Sequence, residues 1–217
     1  MLTYPIMLDV RNRPAVVVGA GAVGRRKARE LASAGARVTL VDPGIFARDD
    51  PKLRGVRLAR ETYAAPCLDG AFLVFACTDD RELNERIAAD ARAAGALVNA
   101  ADQPDNCDFF APAVLRDGHV VVAIGTGGGS PALAGMLKHR LNAALPENAG
   151  RFAELLGKLK TEIKADVADA RRRGDIFRKL VCDETLRAFD ADGERAVRQR
   201  LRKILDDAEA GPCPQSK

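Results

Sequence analysis

No apolar run in this chain approaches the roughly 18 residues that a membrane-spanning helix needs, so no transmembrane segment is expected. The start, Met1-Leu2-Thr3-Tyr4-Pro5, has neither the basic segment nor the apolar stretch of a secretory leader. The expected location is therefore the cytoplasm, with no membrane partner. Cysteine is sparse and scattered: Cys67, Cys77, Cys107, Cys182 and Cys213 are odd in number and show no CxxC pairing. That argues against a disulfide framework and against a thiolate metal site. Only two histidines occur, His119 and His139, and neither has a partner at ligand spacing. No fixed metal site is expected. Charge is not concentrated either. A net charge of +4 admits an acidic substrate but lacks the basic face that nucleic acid requires.

What is present begins with Val16-Val17-Val18-Gly19-Ala20-Gly21-Ala22-Val23-Gly24. A β-branched run stops at the first glycine of GxGxxG, and a helical pattern starts inside the motif. The next apolar run, Arg37–Val41, ends at Asp42, 23 residues after Gly19. Strand, glycine turn, helix, strand and acid in that order form a dinucleotide-binding fingerprint. Gly19 allows the tight turn, Gly21 lets the backbone approach a pyrophosphate, and Gly24 lets helix pack on strand. The N–H groups of Ala22 and Val23 then face the phosphates. A carboxylate at Asp42 accepts from the ribose hydroxyls and repels a 2′-phosphate, so NAD is favoured over NADP. Pro43 and Gly44 border that ribose pocket, and Arg48 lies near enough in sequence to weaken the preference.

The alternation continues along the first half. Strands are expected at Ala15–Val18, Arg37–Val41, Val56–Arg60, Ala71–Cys77 and Leu97–Asn99, with helices at Val23–Ala34 and Arg81–Ala94. This predicts an α/β fold, a Rossmann-type doubly wound parallel sheet with cofactor at the carboxyl ends of its strands, where Gly19, Asp42, Thr78 and Asn99 fall. The pattern changes near residue 112. A strand at Val120–Ile124 leads through glycines to a helix at about 132–145. Beyond 147 the pattern is helical throughout, with Phe152, Leu155, Leu156, Leu159, Ile163 and Val167 on one face. Gly174 is expected to end that helix or to separate it from the next, and two more follow at 176–189 and 194–208. Three parts result: a nucleotide-binding domain over 1–112, a segment over 113–146, and a small all-helical domain over 147–217.

Two further constellations carry chemistry. Asp102 follows the fifth core strand, where the nicotinamide end of a dinucleotide belongs. A carboxylate there can take a proton while a carbon-bound hydrogen leaves as hydride. An ordinary aspartate, with a pKa of about 4, is a weak base at neutral pH, so burial is expected to assist. The competing reading is a turn-forming aspartate that caps its own loop. In Thr126-Gly127-Gly128-Gly129-Ser130-Pro131, consecutive glycines precede a helix entry, with Ser130 at its N-cap and Pro131 as its first residue. Such a stretch can cradle a substrate carboxylate, or it can simply connect strand to helix. Arg25, Arg26, Lys27 and Arg29 add cations on the first helix.

Several of these pieces together resemble one family, the precorrin-2 dehydrogenases that form the stand-alone or N-terminal part of siroheme synthases. The matching residues are Tyr4–Val10, Val16–Gly24 with Arg26-Lys27-Ala28, Cys77-Thr78-Asp79-Asp80 and Leu83-Asn84. Val98–Asp102, Cys107-Asp108-Phe109, Pro112-Ala113 and Thr126–Ala134 complete the match. The resemblance implies NAD-dependent oxidation of precorrin-2 to sirohydrochlorin, with Asp102 as the catalytic carboxylate. It places Asn99, Thr126, Gly127, Gly128 and Ser130 beside substrate. It also implies a homodimer built through the region after residue 112. In some members ferrous ion is a second substrate, inserted to give siroheme. The remaining third is too short for the methyltransferase module of fused relatives, so the chain is not expected to make its own precorrin-2. A nucleotide-sensing module without catalysis is the alternative. It accounts for Gly19 to Asp42 but not for Asp102 or the glycine stretch.

Overall fold

The structure is a computed structural model that describes residues 3–44 and 51–209. Arg48 and the segment 211–214 lie outside the described residues. Five strands, β1 (Pro14–Val18), β2 (Arg37–Val41), β3 (Arg57–Ala59), β4 (Leu73–Ala76) and β5 (Leu97–Ala100), form one parallel sheet in the order β3-β2-β1-β4-β5. Every pairing in it is parallel. The order reverses between β1 and β4, and this reversal opens a crevice at the carboxyl edge.

Alternate residues of each strand serve opposite faces. Val16, Val18, Val74, Ala76, Val98 and Ala100 pack against Ile87, Ala88 and Ala91 of α2 (Arg81–Ala93). Ala15, Val17, Val38, Leu40, Leu73, Phe75 and Cys77 pack against Ala28 and Leu31 of α1 (Ala22–Ser33). Both faces are covered, which is why β4 reads as a continuous apolar run. α2 begins where the Asp80 carboxylate accepts from the Leu83 N–H at 3.0 Å.

The chain divides into two compact units. The first is 1–112 with 125–131; the second is 113–124 with 132–217. In the second unit, β6 (Ala113–Asp117) pairs antiparallel with β7 (Val120–Ile124). β6 was not expected from the sequence. Its strand character depends on pairing with β7 across the Gly118-His119 turn, where Gly118 has φ +52°. The Asp117 carboxylate accepts from Gly150 N–H at 2.6 Å and ties the hairpin to α4 (Ala149–Asp166). α3 spans Pro131–Ala144.

The helices after α4 depart from expectation. Gly174 ends nothing; it lies inside α5 (Ala170–Leu180), on its exposed side. The break comes earlier, where the Asp169 carboxylate caps α5 by accepting from Arg172 N–H at 2.9 Å. The single helix expected over 176–189 is two, α5 and α6 (Asp183–Asp192), separated at Val181 and Cys182. α7 covers Glu194–Glu209. Phe152, Leu155, Leu159, Ile163 and Val167 meet Ile176, Leu180, Phe189, Val197, Leu201 and Ile204 in one core. Among the described residues no helix is long and apolar enough to cross a membrane.

Candidate active site

Parallel register brings the strand ends into a row. Val41, Val18, Ala76 and Ala100 are direct neighbours on β2, β1, β4 and β5. The ladder runs one step further: Gly19 N–H donates to Val41 C=O, Cys77 N–H to Val18 C=O, and Ala101 N–H to Ala76 C=O, at 2.8–2.9 Å. Asp42, Gly19, Thr78 and Asp102 therefore share one edge of the sheet.

The three glycines of the turn differ in their surroundings. Gly19 has φ +99°, and a side chain there would meet the Cys77 carbonyl oxygen at 2.4 Å. Gly24 presses on β1 so closely that a Cβ would lie 1.8 Å from the Gly19 carbonyl oxygen. Gly21 has nothing within 4 Å of its Cβ position. Its bareness serves no internal packing; the space over the α1 N-terminus is open. Arg25 Nε donates to Ala20 C=O at 2.7 Å and fixes the turn from the helix side.

Asp42 is already engaged. One carboxylate oxygen accepts from Ala20 N–H and the other from Gly44 N–H, both at 2.6 Å. The acid links the glycine turn to its own Asp-Pro-Gly turn, and each oxygen keeps a second lone pair for a ribose hydroxyl.

Thr78 is held by Asn84, a residue whose individual role the sequence did not disclose. Asn84 is 3% exposed. Its Oδ1 accepts from Thr78 N–H at 3.1 Å and lies 2.7 Å from Thr78 Oγ1, while its Nδ2 donates to Thr78 C=O at 2.9 Å. A polar residue at an otherwise apolar position of an amphipathic helix was the available signal.

Asn99 does not reach outward through its amide nitrogen. Nδ2 donates to Phe109 C=O at 2.8 Å and approaches Cys107 Sγ at 3.4 Å. The ring of Phe109 stands edge-on to Phe75, with centroids 5.3 Å apart. Asp108 adds a short ladder to β5: its N–H donates to Val98 C=O, and its carboxylate accepts from Val98 N–H and Arg92 Nε. Residues 107–109 are thus tied to the strand that carries Asp102.

Asp102 sits in the Ala100–Gln103 turn at φ +58°, one of two non-glycine residues with positive φ among those described. Such a conformation is uncommon for a residue with a Cβ. Among the described residues its carboxylate accepts no hydrogen bond and forms no ion pair, so it does not cap its own loop. Asp102 is exposed, beyond the end of its strand, so burial in the chain itself gives it no assistance. Next to it, Gln103 is buried, with Nε2 donating to Arg81 C=O at 3.0 Å. Burial pushes the Cys77 thiol up to about 11, with Lys27 and Arg26 opposing and the Asp102 charge adding to the rise. Lys27, one of the cations on the first helix, has a side chain only 14% exposed, with Nζ 3.2 Å from Glu30.

The glycine stretch is an ordered turn. Gly127 and Gly128 have φ +60° and +84°. Gly129 N–H donates to Thr126 C=O at 3.0 Å, and Ser130 N–H to Thr126 Oγ1 at 3.2 Å. Thr126 therefore consumes two of the N–H groups that an anion cradle would use. A Cβ on Gly128 would stand 3.9 Å from the Phe110 ring, which places this turn beside the segment following Asp102.

Residues 6–113 match a family model described as putative NAD(P)-binding. Siroheme synthase 1 of Aeromonas salmonicida is 35% identical over 214 residues, 95% of this chain and 45% of that protein. Siroheme synthase of Nitrosomonas eutropha is 32% identical over 94% of this chain and 44% of its own length. The chain spans a little under half the length of these relatives. A solved structure, SirC, precorrin-2 dehydrogenase, shares the fold at a TM-score of 0.73 and 23% identity, covering 93% of this chain and all of that one.

Proposed function

This chain belongs to the siroheme synthase family over the part of those proteins that it spans, and on that premise we propose that it oxidises precorrin-2 to sirohydrochlorin with NAD. The observation that carries the reading is Asp102: a left-handed, exposed carboxylate with no protein partner among the described residues, on the same sheet edge as the glycine turn. Both carboxylate oxygens are thereby open to a group from outside the chain. The bound nicotinamide supplies the hydride acceptor. One carbon-bound hydrogen of the substrate leaves with its electron pair, and one proton passes to the Asp102 carboxylate. The macrocycle is oxidised by two electrons and the cofactor reduced by two. Substrate lying over Asp102 excludes water from the carboxylate at the moment of transfer. Asp42 orients the adenosine ribose and favours NAD over NADP. Arg26 and Lys27 contribute positive charge toward a substrate bearing eight carboxylates.

The test is anaerobic incubation with precorrin-2 and NAD+, followed by absorbance. Conversion to sirohydrochlorin is expected, and its absence overturns the reading. Asp102→Ala is expected to lose turnover while binding NAD as before. Unchanged turnover in that variant removes Asp102 from the chemistry. Adding ferrous ion to the same vessel tests it as a second substrate: siroheme forms if the carboxylate also accepts the pyrrole protons, and the reaction stops at sirohydrochlorin if it does not.

The protein acts as a cytoplasmic homodimer in this reading, with residues 113–146 as its dimerisation segment. Leu133, Met136 and Leu141 of α3 are 42–45% exposed, and Ala134 alone of that helix is buried. A second copy covering these side chains accounts for them. Met136→Asp is expected to give monomers in sedimentation; a wild-type monomer overturns the assignment.

A further inference from the structure

We infer that Cys107 is a positioning residue for Asp102: its thiol closes the turn that presents the carboxylate, by bridging the two carbonyls on either side of it. The inference rests on the role proposed above for Asp102. Cys107 Sγ lies 3.2 Å from the Ala100 carbonyl oxygen and 3.3 Å from that of Gln103, the first and last residues of the Asp102 turn. The direct backbone closure of that turn, Gln103 N–H to Ala100 C=O, is long at 3.4 Å. The thiol supplies a second tie across this long closure. One S–H proton is shared between two acceptors, while Asn99 Nδ2 approaches the sulfur from behind at 3.4 Å.

The sulfur must remain protonated to do this, since a thiolate would face two carbonyl oxygens. Burial raises its pKa and so favours the protonated thiol. The segment bearing Cys107 cannot drift, because Asp108 binds it to β5 and Arg92. The sulfur therefore adds a tie across the mouth of a turn whose flanks are held by Ala101 N–H on Ala76 C=O and by the Gln103 side chain on Arg81 C=O.

The test compares Cys107→Val, which fills the space without a donor, with Cys107→Ser, which keeps one. With Val, kcat is expected to fall on the order of 10-fold or more while KM for NAD stays within about twofold, because the cofactor rests on the glycine turn. Ser is expected to restore most of kcat. A loss confined to stability, or an equal loss in both variants, overturns the inference. Crystal structures of both variants give a readout independent of turnover. Asp102 is expected to leave its positive φ with Val and to keep it with Ser. If the turn is unmoved with Val, Cys107 positions nothing. If it moves but the wild-type protein does not oxidise precorrin-2, the clamp stands and the proposed reaction fails.

Discussion

Asp42 and Asp102 stand just beyond the two ends of one aligned row of strand termini, Val41, Val18, Ala76 and Ala100. Three strand spacings, about 14 Å, separate those outer termini, and the glycine turn lies between them. Two carboxylates of the same type have opposite situations. Asp42 is bound to two backbone N–H groups. Asp102 is bound to none among the described residues. The first is spent on holding two turns together, and the second has both oxygens open.

Replacing Asp102 separates backbone from chemistry. Asp102→Gly removes the cost of positive φ and is expected to leave thermal stability within about 0.5 kcal/mol while turnover falls on the order of 100-fold or more. Asp102→Val keeps the Cβ and adds branching, and is expected to destabilise by about 1–2 kcal/mol. Thermal melts beside initial rates check both.

The glycines of the turn should part in the same way. Gly24→Ala sets a methyl against the Gly19 carbonyl oxygen and is expected to cost about 3 kcal/mol or more. Gly21→Ala meets nothing in the protein, so stability should hold while NAD affinity drops on the order of 10-fold. Urea denaturation and NADH titration distinguish them. Equal stability losses would show that Gly21 is structural.

Asn84→Ala strips three contacts from Thr78 and leaves buried backbone groups unsatisfied. A loss of roughly 3 kcal/mol in denaturant unfolding is expected, with weaker NAD binding in what remains folded.

Asp42→Ser should raise the ratio of NADP to NAD usage on the order of 10-fold, by removing the charge that repels a 2′-phosphate. Because Asp42 also ties Ala20 to Gly44, the variant should be less stable by about 1–2 kcal/mol. Steady-state kinetics with both cofactors decide the first point.

Thiol reactivity should rank by environment. The Thr185 hydroxyl and N–H, with Arg200 nearby, hold Cys182 below the ordinary thiol range, and it is half-buried. Burial holds Cys77 and Cys107 above it. Iodoacetamide at pH 7.5 is expected to label Cys182 well before either of the others, read by peptide mass spectrometry. Faster labelling of Cys107 would contradict its place in the turn.

Local pattern and tertiary context divided the information unevenly. Val16–Gly24 and the acid at Asp42 were legible because a strand-to-helix turn over phosphate demands glycine at fixed offsets. The core helix face from Phe152 to Val167 was legible because burial on one side imposes a 3.6-residue period. Gly174 misled because glycine marks a helix end only by tendency. On an exposed face with α5 packed through Ile176 and Leu180, it costs about 1 kcal/mol and is tolerated. β6 was hidden because a short strand with one face half-exposed shows no pattern apart from its partner.

The chain's order of residues determined by itself that a parallel nucleotide-binding sheet forms and that an acid follows its fifth strand, since these rest on periodicity, glycine and spacing. Only the three-dimensional fold decided that this acid is left-handed and uncommitted, that Asp42 is bound twice, and that a thiol five residues onward reaches back across the turn. Hydrogen-bond partners are set by which loops the sheet brings side by side, and that proximity is not written in neighbouring letters.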